Sequence, residues 1–312
     1  MCLLMIFIGG VTRLSDAGLS IVEWRPITGI LPPLSTDAWV DEFTKYQSSP
    51  EYRIVNHSMT LDEFKKIFLI EFIHRIAARI TGIVACLPLL YFYISGSLPF
   101  RSNKSYLFMP ILLLSQGVMG WYMVKSGLKF EPHVSHFRLS CHLILAVALY
   151  SFIIWKLLDA SVHKFSTLGI ITSITIYIQI FLGGLVAGLN AGLVYNTFPL
   201  MGDAFIPREF VLSNAIDIWY DPVSVQFLHR IMAYIVTICV LSFACSLRRS
   251  NPRIASFIVF SVIIQIATGI GTLIFVVPMS LALVHQICAM MLLTSVLIGV
   301  KHSNKHLTNA LS

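Results

Sequence analysis

The sequence predicts an all-α polytopic membrane protein with eight transmembrane helices, the first one truncated, arranged as two pseudo-symmetric four-helix bundles. Three observations carry this expectation. Of 312 residues, 56% are hydrophobic and 12% charged, with a mean hydropathy of +0.80; a soluble domain cannot hide that much apolar surface. Seven apolar runs reach the length needed to cross a bilayer, which is roughly 20 residues for a hydrocarbon core of about 30 Å. The second half of the chain also repeats motifs of the first in the same order.

Taken along the chain, "MCLLMIFIGGV" at 1–11 is too short to span and lacks the charged n-region and cleavage site of a signal peptide. It is expected to be the outer half of a first helix whose beginning is missing from this sequence. Residues 13–66 form the longest polar piece. Within it, "STDAWVDEFTKYQ" (35–47) predicts an amphipathic surface helix capped by Ser35, and "TLDEFKKIF" (60–68) a capped entry into the second span. Gly18, Trp24, Pro26, Gly29, Pro32 and Pro33 fold the remainder across the membrane face, as "NAGLVYNTFPLMGD" (190–203) does in the second half. The full-length spans are 67–95, 106–126, 136–155, 165–189, 223–247, 254–277 and 279–300.

Charge sets the orientation. The loops 96–105, 156–164, 247–253 and 301–312 hold nine basic residues (Arg101, Lys104, Lys156, Lys164, Arg248, Arg249, Arg253, Lys301, Lys305) against one acid, Asp159. The opposite loops hold eight basic and thirteen acidic residues. The positive-inside bias makes the first set cytoplasmic. The net charge of +7 is thus a topology signal, scattered over short loops, and it excludes a nucleic-acid interface. All six cysteines lie in apolar runs, as small packing residues.

"IGGVTRLSDAGL" (8–19) lies on "LGGLVAGLNAGL" (182–193), and "FIHRIAARI" (72–80) on "FLHRIMAYI" (227–235). "QGVMG" (116–120) falls on "QIATG" (265–269), and "HLILA" (142–146) on "HQICA" (285–289). The offsets are 174, 155, 149 and 143, so order is kept while loops shorten. This is a parallel duplication of a four-helix unit, with halves expected at 1–160, which carries the long outer loop 13–66, and 161–312.

Ionisable residues are costly in hydrocarbon and mark sites. His74, His142, His229 and His285 each lie on an even-numbered span, about six to ten residues from its outer end, or roughly 10–15 Å deep. Two imidazoles facing each other in a four-helix bundle suit the axial positions of a haem iron, His74 with His142 and His229 with His285. Zinc fits poorly, since each half supplies two histidines and no further Cys or carboxylate constellation. His136 lacks a repeat partner and is expected at the surface. Arg75, Arg230 and Arg138 are candidates to contact haem propionates; for Arg79 and Lys125 a snorkelling anchor competes with that role. Glu71 shares a helix face with His74, whereas Gln226 takes its place beside His229. A carboxylate can accept a proton or stabilise positive charge, so the first pocket is expected to be reactive and the second to carry electrons.

"GGVTRLSDAGLSIVEWRPITGILPP", "EYRIVNHSMTLDEFKKIFLIEFIHR", "GVMGWYMVKSGL", "VSHFRLSCHL" and "FLHRIMAY" together resemble the haem A synthase family, in the branch shared by mitochondria and alphaproteobacteria. The resemblance covers nearly the whole chain. It implies an oxidoreductase that converts haem O to haem A, a ring methyl becoming a formyl group by successive hydroxylations and loss of water. It implies Glu71 as the essential acid, His74 and His142 as ligands of substrate haem O, and His229 and His285 as ligands of a resident haem B. As partners it implies a haem O synthase (a farnesyltransferase) upstream, an electron-transfer partner or quinone, and membrane lipid, with homo-oligomerisation left open. Many bacterial members carry a cysteine pair in the first outer loop; residues 13–66 hold none. The chain start and the lack of a transit peptide point to a bacterial inner membrane rather than a mitochondrial one, with the haem sites toward the periplasm. On the residues alone, a dihaem b-type cytochrome linked to quinol, or a haem carrier without catalysis, also accounts for the four histidines.

Overall fold

The structure is a computed structural model that describes residues 1–312 except 26–27, 98–103, 129–130, 159–165, 213 and 304–312. Arg101, Asp159, Lys164 and Lys305 of the topology argument, and the expected boundary at 160/161, lie outside the described residues. The helices are α1 (Cys2–Leu14), α2 (Thr36–Gln47), α3 (Pro50–Ile54), α4 (Leu61–Ile94), α5 (Phe108–Gly127), α6 (His136–Leu157), α7 (Thr167–Gly188), α8 (Arg208–Leu212), α9 (Pro222–Leu247), α10 (Pro252–Ile274) and α11 (Met279–His302). Seven of them, α4 to α7 and α9 to α11, are long and apolar enough to cross a membrane, and α1 is a shorter apolar helix. The protein is a multi-pass, all-helical membrane protein; among the described residues the one β-type contact is an isolated bridge between Met201 and Ala204.

The helix starts follow from local chemistry. Ser35 accepts from the Ala38 amide at the head of α2, and Ser49 from the Tyr52 amide at the head of α3, where Pro50 supplies a preset φ. Thr60 and Glu63 close a reciprocal capping box on α4. Ser166 caps α7 and Asp221 caps α9 in the same way.

The chain forms two compact units, Met1–Leu149 and Tyr150–Ser312. In the first, α4 has 34 residues, about 51 Å of helix at 1.5 Å per residue and far more than a bilayer core requires. Its first turns carry Phe64 and Phe68 into a small core with Ile21 and Tyr46, flanked by Trp39, Phe43 and Tyr52. The polar stretch between α1 and α4 is therefore a folded cap with its own apolar centre. In the second unit, Phe243 and Leu185 are fully buried. A Cβ on Gly169 would meet Val300 at 2.7 Å and Phe243 at 3.0 Å, and one on Gly299 would meet Phe243 at 2.9 Å, so α7, α9 and α11 approach as closely as small residues allow.

The cap also buries an acid. Glu51 is 4% exposed; Tyr46 donates its hydroxyl to Glu51 Oε2 at 3.0 Å, and Asn56 donates to the Tyr46 oxygen at 2.8 Å. Burial pushes the Glu51 carboxyl from its ordinary 4.5 up to about 8; the Tyr46 hydroxyl pulls it down, and the charges of Asp16 and Glu71 add to the rise. The folded state thus holds a proton that the unfolded chain releases. That contribution to stability is complete below pH 4.5 and is lost as pH rises to about 8. Melting curves across this range should show the cap losing stability with rising pH, and Glu51→Gln should flatten the dependence. A parental slope in that variant would assign the effect elsewhere.

Candidate functional site

In the second unit, His229 on α9 and His285 on α11 are half-buried and lie within electrostatic reach of each other. Each faces a glycine: a Cβ on Gly183 of α7 would come within 3.3 Å of His229 Cε1, and one on Gly269 of α10 within 2.8 Å of His285 Cε1. One turn before each glycine stands a glutamine. Gln179 places its amide nitrogen 3.2 Å from both ring nitrogens of His229 and donates to the His229 carbonyl at 3.1 Å. Gln265 places its amide nitrogen 3.3 Å from His285 Nε2, and Thr268 Oγ1 lies 3.3 Å from Nδ1. Helices α7 and α10 thus supply space and hydrogen bonds, while α9 and α11 supply imidazoles.

The first unit repeats the plan with fewer polar contacts. His74 on α4 and His142 on α6 are half-buried and electrostatic neighbours. A Cβ on Gly9 of α1 would lie 3.8 Å from His74 Nε2, and one on Gly120 of α5 3.3 Å from His142 Cε1. Gln116, one turn before Gly120, donates to the His142 backbone carbonyl at 3.2 Å. The His142 Nδ1 atom is buried with no partner among the described residues.

The acid that distinguishes the two halves is 3% exposed. Arg75 donates to Glu71 Oε1 through Nε at 3.0 Å and Nη2 at 2.6 Å. Ser20 Oγ and the Ile21 amide donate to Oε2 at 2.7 and 2.8 Å. Four donors on one carboxylate, one of them a guanidinium, make the donor set of an anion. The rest of Arg75 is committed to the Ile21 carbonyl at 3.0 Å and the Glu23 carbonyl at 3.1 Å. In the second unit Arg230 makes the same two contacts at repeat offset 174, to the carbonyls of Tyr195 at 2.8 Å and Thr197 at 2.9 Å. Gln226 there donates to the Tyr195 carbonyl at 2.9 Å. The duplication is thus preserved in the two arginine contacts, while the bonds made at positions 71 and 226 differ. Arg75 and Arg230, expected to reach propionates, hold the segments that follow α1 and α7. Arg138 donates to the Tyr122 carbonyl at 2.7 Å, with its guanidinium 3.7 Å above the Tyr122 ring. Arg79 donates to the Arg25 carbonyl at 2.7 Å, so Glu71, Arg75 and Arg79 grip one segment along three turns of α4.

The chain matches, over residues 1–297, the sequence profile of the COX15-CtaA cytochrome oxidase assembly proteins. It belongs to that family. It is 49% identical to a protein of Rickettsia bellii named heme A synthase, over 95% of this chain and 93% of the relative. Proteins of the same name from Rickettsia canadensis and Rickettsia conorii are 48% and 46% identical over the same shares.

For this family member the sequence located the four histidines but not their companions. The pattern Gln-x-x-x-Gly recurs at 116–120, 179–183 and 265–269, and Met5 precedes Gly9 at the fourth place; that recurrence, counted across all four odd-numbered spans, was the available signal. One expectation is corrected. His136 is buried rather than at the surface, because it shares the inward face of α6 with fully buried Ser140 and Val147. Among the described residues no three His, Cys, Asp or Glu side chains gather as metal ligands.

The glycines give a direct test of the geometry. Nothing lies within 4 Å of a Cβ at Gly117, whereas one at Gly269 would collide with the His285 ring. Gly117→Ala should leave thermal stability unchanged to within about 1 kcal/mol, and Gly269→Ala should lower the melting temperature clearly. Equal melting temperatures for the two variants would contradict the close approach.

Proposed function

We propose that this chain makes haem A from haem O, oxidising a ring methyl to a formyl group through successive hydroxylations and loss of water. The named relatives and the family support the reaction. The observation in the structure that carries the assignment of roles is that a carboxylate held by four donors, Glu71, stands where the second unit has Gln226, beside arginines that make matching contacts.

In this reading His74 and His142 hold the substrate haem O, and His229 and His285 hold a resident haem B. The residues present fit those groups: paired imidazoles, each opposite a glycine that clears its ring, with unpaired Oε1 atoms on Gln116, Gln179 and Gln265 nearby. A haem iron between two imidazoles supplies one-electron chemistry. The chain's own contribution is to hold the macrocycle, to exclude water by burying α4 against the cap, and to keep a fixed negative charge one helical turn from His74. Because four donors fix that carboxylate, Glu71 acts as an electrostatic stabiliser of positive charge that develops on the substrate. Its immobility suits that role better than repeated proton exchange.

The route places the chain after the enzyme that farnesylates haem, and it needs an electron acceptor, a protein partner or a quinone. The basic residues Arg248 and Arg249, after α9, and Arg253, in the first turn of α10, support a cytoplasmic side there. The histidine pockets then lie toward the periplasmic face of a bacterial inner membrane.

Purified protein supplied with haem O and an electron acceptor should yield haem A on extraction and chromatography. Glu71→Gln should retain bound haem while haem A formation falls by about 10²- to 10³-fold. Parental turnover in that variant would remove Glu71 from the chemistry. Haem B as the sole extracted pigment, with haem O unchanged, would identify an electron-transfer cytochrome instead.

A further inference from the structure

The two histidine pockets differ at positions that the imidazoles of the second one touch. The Thr268 hydroxyl hydrogen goes to a carbonyl of its own helix, Ile264 at 2.9 Å or Gln265 at 3.1 Å, so toward His285 it can only accept. His285 Nδ1, 3.3 Å away, therefore carries the ring proton. Nε2 faces the Gln265 amide at 3.3 Å; the amide is a donor, so Nε2 carries the lone pair. A single tautomer satisfies both contacts; it puts the basic lone pair on Nε2, the nitrogen that would ligate a metal once the Gln265 amide gives way. His229 is held by Gln179 at its ring and at its carbonyl.

The repeat offsets locate the counterparts in the first unit. Offset 174 puts Met5 where Gln179 stands, and offset 149 puts Met119 where Thr268 stands. A thioether donates no hydrogen bond and accepts only weakly. Accordingly His142 Nδ1 is buried without a partner among the described residues, and Gln116 reaches the His142 backbone and not its ring. The four histidines, the glycines facing them and the pair Arg75 and Arg230 are kept in both units, while Gln179 and Thr268 are present in one.

We propose that Gln179 and Thr268 lock the imidazoles of the second pocket in the ligating orientation, and that Met5 and Met119 leave those of the first free to turn. The second pocket then retains its haem, and the first exchanges it, taking up substrate and releasing product. This rests on the four histidines being haem ligands. Thr268 and Gln179 are positioning residues; neither touches the reacting methyl group.

Transfer of haem B from the purified full-length protein to excess apomyoglobin reads exchange optically. Electron paramagnetic resonance of the oxidised, low-spin protein reads imidazole orientation. With His142→Ala only the second pocket loads, and with His285→Ala only the first. In the His142→Ala background, Thr268→Val should speed haem loss by about 10- to 100-fold and broaden the low-spin signal, and Thr268→Ser should restore both. In the His285→Ala background, Met119→Thr should slow haem loss. Parental exchange in Thr268→Val overturns the proposal. Should that variant not fold, an unchanged rate in Met119→Thr overturns it. If His142→Ala and His285→Ala each still hold two haems, the ligand assignment has failed, and not the locking.

Discussion

A carboxylate and a guanidinium placed in hydrocarbon must find every partner they need within the protein. Glu71 and Arg75 find theirs in Ser20, Ile21 and Glu23, the segment that leaves α1. Removing one member of such a buried pair costs about 3–5 kcal/mol, because the other is left uncompensated. The pair therefore ties α4 to the segment after α1. The same segment supplies Ile21 to the apolar centre of the cap, and Glu71 stands three residues before His74. Cap, helix register and imidazole position are thus set by one polar cluster. A change at Ser20 or Ile21, far from the histidine in sequence, would be felt at its ring.

The second unit solves the same problem without an acid. Gln226 and Arg230 bind the carbonyls of Tyr195 and Thr197, so the segment after α7 is held as firmly as the one after α1. Structural anchoring alone therefore does not require an acid at position 71. The negative charge in the first unit is an addition to a working anchor, and it sits where a reacting centre needs electrostatic help. Near the imidazoles the halves differ at Glu71 against Gln226, Met5 against Gln179 and Met119 against Thr268.

The spans, the caps at Ser35 and Thr60, and the four histidines were legible in the sequence, because each depends on neighbours within one helix turn. What the arginines bind was not. Arg75 reaches carbonyls 52 and 54 residues away in the chain, and helical spacing fixes only the face from which a long side chain leaves. The glutamines escaped notice for a related reason. One Gln among apolar residues resembles an ordinary polar interruption, and its meaning comes from the ring it meets on another helix. His136 was misjudged because a missing repeat partner says nothing of burial; the depth of Ser140 and Val147 on its face decides that.

Packing follows the same division as the polar contacts. In the most apolar stretch of each helix the buried share is 33% in α7, 28% in α9, 17% in α10 and 44% in α11, against 6% in α4, none in α5 and 17% in α6. Close-packed helices resist parting through van der Waals contact, and small residues at the contact let the backbones approach. A macrocycle enclosed by α7, α9, α10 and α11 would have to break that packing to leave. Around His74 and His142 the helices bury less, and flexible methionines replace groups that hold an imidazole in one orientation. An enzyme whose substrate and product are both membrane-soluble macrocycles needs one half that opens to them and another that does not. One helical plan used twice, with Gln179 and Thr268 beside the imidazoles of a single half, would meet both demands.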